Sequence, residues 1–176
     1  MKHYLRFIPN LISLIRISLV IPTVLNLLAG KYIFALILFA IASVSDAVDG
    51  FLARFFKWQT DLGKILDPVA DKLLMIGSIT ALWLNQIVPL SVFVIFVFRD
   101  LLILLGAAFE MSITEKTPSP NLIGKITTTS QIIYILVLIT FAIFNVVINI
   151  QIFHILIGFI SLLSLITVSY THLRAH

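Results

Sequence analysis

Residues 32–51 read YIFALILFAIASVSDAVDGF. The run opens on Tyr32, carries no charge for most of its length, and closes on Asp46 and Asp49. A helix needs about 20 mostly apolar residues to cross a bilayer, and this stretch meets that length. Barrel strands alternate apolar and polar residues; this run is continuously apolar, so it reads as a helix. Similar runs lie on either side, at Leu11–Leu28, Ile65–Leu84, Val88–Phe109, Ile126–Ile148 and Ile152–Tyr170. The sequence therefore predicts an all-α, polytopic membrane protein with six transmembrane helices.

Bulk composition agrees. Of 176 residues, 60% are hydrophobic and 11% charged, and the mean hydropathy is +1.13. A soluble domain is about half apolar and a quarter charged. The length suits one domain, residues 1–176, with no internal repeat. Residues 1–9 mix cationic and aromatic side chains, the pattern of a short amphipathic segment lying on the membrane surface. The first apolar run follows Lys2 and Arg6 without a small-residue cleavage site, so it is expected to be retained as a helix. No cysteine is present, which excludes disulfides, thiolate metal sites and a cysteine nucleophile.

The net charge of +4 is explained by topology and calls for no nucleic-acid partner. Lys2 and Arg6 precede the first run. Arg54, Lys57 and Lys64 lie between the second and third, Lys116 and Lys125 between the fourth and fifth, and Arg174 after the sixth. The opposite turns carry only Lys31. Positive loops stay in the cytosol, which places both termini there.

That orientation gathers the acidic residues. Asp46 and Asp49 are three apart near the end of the second run; Asp67 and Asp71 are four apart at the start of the third. Each pair shares a helical face, and all four fall near the cytosolic edge. Four carboxylates facing one another repel unless a cation intervenes. None of the four histidines (His3, His154, His172, His176) is nearby, and an all-oxygen donor set suits Mg²⁺ or Mn²⁺ rather than zinc. Room for two metals suggests phosphoryl chemistry. Gly50 and Ala53 lie on the face of Asp46 and Asp49, and Gly63 one turn before Asp67, leaving space for a ligand.

The pattern Asp46-x2-Asp49-Gly50-x2-Ala53-Arg54-x8-Gly63-x3-Asp67-x3-Asp71 resembles the signature of the CDP-alcohol phosphatidyltransferase family. Asn10-x2-Ser13-x2-Arg16 with Pro22, Asp67-Pro68-x-Ala70-Asp71-Lys72 and Gly124-Lys125-x-Thr127-Thr128-x2-Gln131 resemble its first, third and fifth helices. The resemblance implies that Asp46, Asp49, Asp67 and Asp71 hold the metals. It makes Asp71 the base that takes the acceptor hydroxyl's proton. Gly50, Arg54 and Thr60 would contact the CDP part of a CDP-diacylglycerol donor. It also implies a homodimer, among membrane lipids. The short chain without a transit segment points to a bacterial inner membrane, and the charge distribution to a cytosol-facing site.

The acceptor is less sharply written. Arg16, Arg99 and Lys125 would make a basic pocket for a phosphate-bearing alcohol. The start of the fifth run resembles members that use glycerol 3-phosphate. Arg99-Asp100 resembles instead the eukaryotic-type cardiolipin synthases, whose acceptor is phosphatidylglycerol. The reading leans to glycerol 3-phosphate. Bland alternatives stand beside these: Asp67 as a cap ahead of Pro68, Arg54 snorkelling to the interface, Arg99 paired with Asp100, and His154 as a packing residue. A transporter would also carry intramembrane carboxylates, but its acidic groups would not all gather at one edge. An intramembrane prenyltransferase would space its aspartates differently.

Overall fold

The computed structural model describes residues 8–56, 61–114, 122–145 and 154–161; the side chains described are those of 11–45, 48, 56, 69–106, 126–145 and 154–161. These residues are all helix and turn, with no strand among them. Five long helices follow one another: α1 Ile8–Leu28, α2 Tyr32–Phe55, α3 Asp61–Leu84, α4 Leu90–Thr114 and α5 Leu122–Phe144. Residues 154–161 form a further helical segment. The chain divides into two compact units, Met1–Ala81 and Leu82–His176. Among the described residues two stretches, Leu11–Leu28 and Ile126–Phe144, are long and apolar enough to cross a membrane.

Both tight turns are built alike. Helix α1 ends where the Gly30 N–H donates to the Leu27 carbonyl (3.0 Å) and the Lys31 N–H to that of Asn26 (2.9 Å). Gly30 sits at φ +69°, so this is a Schellman cap with glycine in its left-handed position. The end of α3 repeats the motif, Gln86 N–H to Trp83 (2.9 Å) and Ile87 N–H to Leu82 (3.0 Å). There the left-handed residue is Gln86, at φ 60°, which a Cβ disfavours. Gln86→Gly is therefore expected to raise the thermal midpoint in detergent, the gain being about 0.5–1 kcal/mol. A lowered midpoint would mean that the Gln86 side chain contributes more than its backbone strain costs.

All five long helices begin or end away from the apolar runs; α1 starts three residues before Leu11 and α5 four before Ile126. Helix α2 continues four residues past Phe51, and α3 starts at Asp61 rather than Ile65. Pro68 thus lies inside α3, where its missing N–H deprives the Lys64 carbonyl of its helical donor. Capping at Asp67 is not how α3 starts. Helix α4 runs on to Thr114, five residues beyond Phe109.

In the first unit, α1 and α2 pack together, and small residues line the interior: Ser13, Ala35, Ala42, Ala70 and Ser78 are all fully buried. Such residues let helix backbones approach closely. At Gly77 of α3 a Cβ would stand 2.8 Å from Val24 Cγ2 and 3.6 Å from Val20 Cγ1 of α1. Valine is stiff at χ1 and yields poorly. Gly77→Leu is expected to destabilise the fold by about 1–3 kcal/mol, read as a lower unfolding midpoint. Unchanged stability would show that α1 moves aside freely.

Polarity is distributed inside out. On α4, Arg99 and Asp100 are 0% exposed, whereas Phe98, Leu101 and Leu105 are 56%, 43% and 64% exposed. On α2, Ile33, Phe34, Ile37, Ile41 and Val44 face outward as well. Hydroxyls and amides within the helices turn back on their own carbonyls: Thr23 to Leu19, Asn26 to Pro22, Thr80 to Ile76, Thr140 to Leu136. Water on the outside would favour the opposite arrangement.

Candidate active site

Helices α2 and α3 carry the carboxylates. Residues 56–60 separate them, and the counts from that connection match. Asp49 is six residues before Phe55 and Asp67 six after Asp61; Asp46 is nine before, and Asp71 ten after. On α2 the positions 46, 49, 50 and 53 share one face, because the helix is unbroken from Tyr32 to Phe55. Arg54 follows on the last turn. The side chains of Asp46, Asp49, Gly50, Arg54, Asp67 and Lys125, and all of Thr60, lie outside the described residues.

Asp71 is described, and it is neither sealed in the core nor fully open, its side chain being 19% exposed. Lys72 Nζ lies 3.6 Å from its Oδ2. A pair of this length on neighbouring residues holds little energy, about 0–1 kcal/mol. Ala70 and Leu74 beside it are buried, so Asp71 sits at the edge of the packed interior.

Of the three basic residues expected at the acceptor, two are deeply buried. Arg16 on α1 is 1% exposed, one turn from the fully buried Ser13. Arg99 on α4 is 0% exposed. Its Nη1 donates to Asp100 Oδ1 at 2.5 Å and to Gln131 Oε1 of α5 at 2.9 Å. The pairing of Arg99 with Asp100 is thus present, and Gln131 joins it. Gln131 stands in the quoted fifth-helix motif, but nothing in the sequence marked it as the partner of Arg99. The available signal was an amide followed by a long apolar run on a predicted span, which demands a partner. Lys125 is the fourth residue of α5.

Further along α5, Tyr134 Oη and His154 Nδ1 share a hydrogen bond of 2.6 Å, with the rings edge to face. His154 is therefore held by a specific partner rather than merely packed. It borders a groove of about 490 Å³ with Pro89, Val92, Ile95 and Phe159. Tyr134→Phe leaves the imidazole nitrogen without this partner, and is expected to cost about 0.5–1.5 kcal/mol. Urea or thermal unfolding in detergent measures it, and no loss would show that water substitutes for the phenol.

Helices α2 and α3 carry two pairs of aspartates at helical spacing, and α4 and α5 share a buried Arg99–Asp100–Gln131 cluster. The chain belongs to the CDP-alcohol phosphatidyltransferase family, whose model matches residues 6–166. It is similar to the CDP-diacylglycerol–glycerol-3-phosphate 3-phosphatidyltransferase of Aquifex aeolicus, at 35% identity over 124 residues, 69% of this chain and 68% of that one. The Bacillus subtilis protein of that name is 33% identical over 141 residues, 72% of each chain. The CMP-forming cardiolipin synthase of Rattus norvegicus is 29% identical over 155 residues, 78% of this chain and 51% of that one.

Proposed function

We propose that this chain is a six-span enzyme of phospholipid synthesis, with both termini and the active site on the cytosolic side of a bacterial inner membrane. It moves a phosphatidyl group from CDP-diacylglycerol to glycerol 3-phosphate, releasing CMP. The observation that carries the reading is the signature itself: all eight of its positions fall within α2 and α3, toward the ends that the 56–60 connection joins. The inside-out polarity of α4 supports the membrane setting, since buried charge beneath exposed leucine suits a lipid exterior.

Asp46, Asp49, Asp67 and Asp71 are the residues that would hold Mg²⁺ or Mn²⁺. The donor set fits: hard carboxylate oxygens only, with a partly exposed member in Asp71. Cations held there would offset the charge of the pyrophosphate and of departing CMP. Equal residue counts from the connection support one level for Asp49 with Asp67, about 9 Å from the helix ends at 1.5 Å per residue. Gly50 leaves room for the donor, while Arg54 and Thr60 contact its CDP part. The Asp71 carboxylate takes the proton of the acceptor hydroxyl. That oxygen bonds to the phosphorus bearing diacylglycerol, the pyrophosphate P–O bond breaks, and CMP keeps the bridging oxygen. Arg16 and Lys125 serve the acceptor's phosphate.

A second acceptor, phosphatidylglycerol, is favoured by one observation: Asp100 already balances the charge of Arg99, which leaves less cation for a dianionic phosphate. The deciding assay is CMP release by detergent-purified protein with CDP-diacylglycerol and Mg²⁺ or Mn²⁺, each acceptor supplied separately. Release with glycerol 3-phosphate, lost with a chelator and restored by metal, is expected. Release with phosphatidylglycerol alone makes the chain a cardiolipin synthase. Absence of release from folded protein with every acceptor rejects the reading.

A further inference from the structure

Arg99, Asp100 and Gln131 are each 0% exposed, and the geometry of the three constrains what each can do. A guanidinium has five donors and no acceptor. The Gln131 amide must therefore turn Oε1 toward Arg99, as it does at 2.9 Å, and its Nε2 must turn away. That Nε2 has no hydrogen-bond partner. Asp100 Oδ1 accepts from the same Nη1 at 2.5 Å, so the cluster is neutral overall.

Stability alone does not account for this cluster. A buried ion pair is often no better than apolar residues of the same size. A buried amide donor left unbonded costs free energy outright and calls for a reason. The cluster does have a positional consequence. It ties α4 to α5 at one register, and Gln131 lies one turn from the buried Thr127 and six residues from Lys125. These are about 6 and 9 Å along the helix. Thr127, Gln131 and Tyr134 form one buried face of α5.

We infer that Arg99, Asp100 and Gln131 act as a neutral lock that sets the register of α5, and so places Thr127 and Lys125 for the acceptor. Arg99 is then a positioning residue working through Gln131, and the acceptor's phosphate does not bind to it. The inference rests on the phosphatidyl-transfer reading above.

A kinetic cycle tests it, using Gln131→Met, which keeps volume and removes the amide, and the charge-neutral pair Arg99→Met with Asp100→Leu. Gln131→Met should raise the acceptor KM about tenfold, leave the donor KM unchanged and leave the melting midpoint unchanged or higher. In the Arg99→Met/Asp100→Leu background the same substitution should add less than about twofold, because the lock is already open. An acceptor KM within twofold of the parent for Gln131→Met overturns the lock. So do effects that multiply, which would mark Arg99 as an independent phosphate ligand. A parent that releases no CMP rejects the enzymatic reading instead. Melting midpoints through the same cycle then decide whether the three residues act as a unit: non-additive shifts keep the lock, additive shifts remove it.

Discussion

Asp71→Asn is expected to lower CMP release by about 10²–10⁴-fold, the usual loss when a positioned base is removed, while the CDP-lipid donor still binds. The substitution keeps the size of the side chain and deletes its charge and basicity. In the proposed site three carboxylates, Asp46, Asp49 and Asp67, would remain to hold cations and through them the donor. The structure supplies a control for the trivial alternative. Lys72 lies 3.6 Å from Asp71, and the alternative role for Asp71 is to fix that lysine. In that case Lys72→Met would reproduce the loss. The pair is neighbouring, long and partly exposed, so Lys72→Met is expected to change turnover by less than about threefold. Donor binding, measured by equilibrium dialysis of labelled CDP-diacylglycerol in detergent, separates the remaining roles. Donor lost together with turnover would make Asp71 chiefly a cation ligand.

The four aspartates stand out in the sequence because their spacing is local. Asp46 and Asp49, or Asp67 and Asp71, share a face whatever the rest of the chain does, and an apolar setting makes each charge conspicuous. The helix ends were less legible. Hydropathy stopped α2 at Phe51 and started α3 at Ile65, yet both helices continue into polar residues. A helix that leaves the bilayer needs no apolar side chain to go on making its backbone bonds. Pro68 reads locally as a first-turn residue, but the run from Ile65 already set it within the helix, and α3 holds it in its interior. The Arg99–Gln131 contact was illegible because it joins residues 32 apart. No spacing rule reaches across two helices and the segment between them. The same holds for Tyr134 and His154, 20 residues apart. The resemblance at Arg99-Asp100 singled out Arg99, but only the packing shows that Gln131 joins the pair.

Asp100→Ala carries the largest expected effect on stability. Both members of the Arg99–Asp100 pair are fully buried, so deleting the carboxylate leaves a guanidinium charge in a low-dielectric interior. Breaking such a pair from one side costs about 3–5 kcal/mol, because the surviving charge has lost its compensation. Gln131 offers Arg99 an amide oxygen at 2.9 Å, but a neutral dipole replaces only part of a full charge. The informative comparison is the double variant Arg99→Met/Asp100→Leu. It removes both charges and fills their volume with apolar atoms, and buried pairs replaced in this way are commonly neutral or better. Thermal unfolding in detergent should thus place Asp100→Ala well below the parent and the double variant near it. If the single variant melts with the parent, water or lipid phosphate reaches Arg99, and the site is open to an anion after all. The stability of Asp100→Ala and the acceptor kinetics of Gln131→Met therefore address one physical question from two sides: whether the charge of Arg99 is closed off within the protein or offered to a substrate.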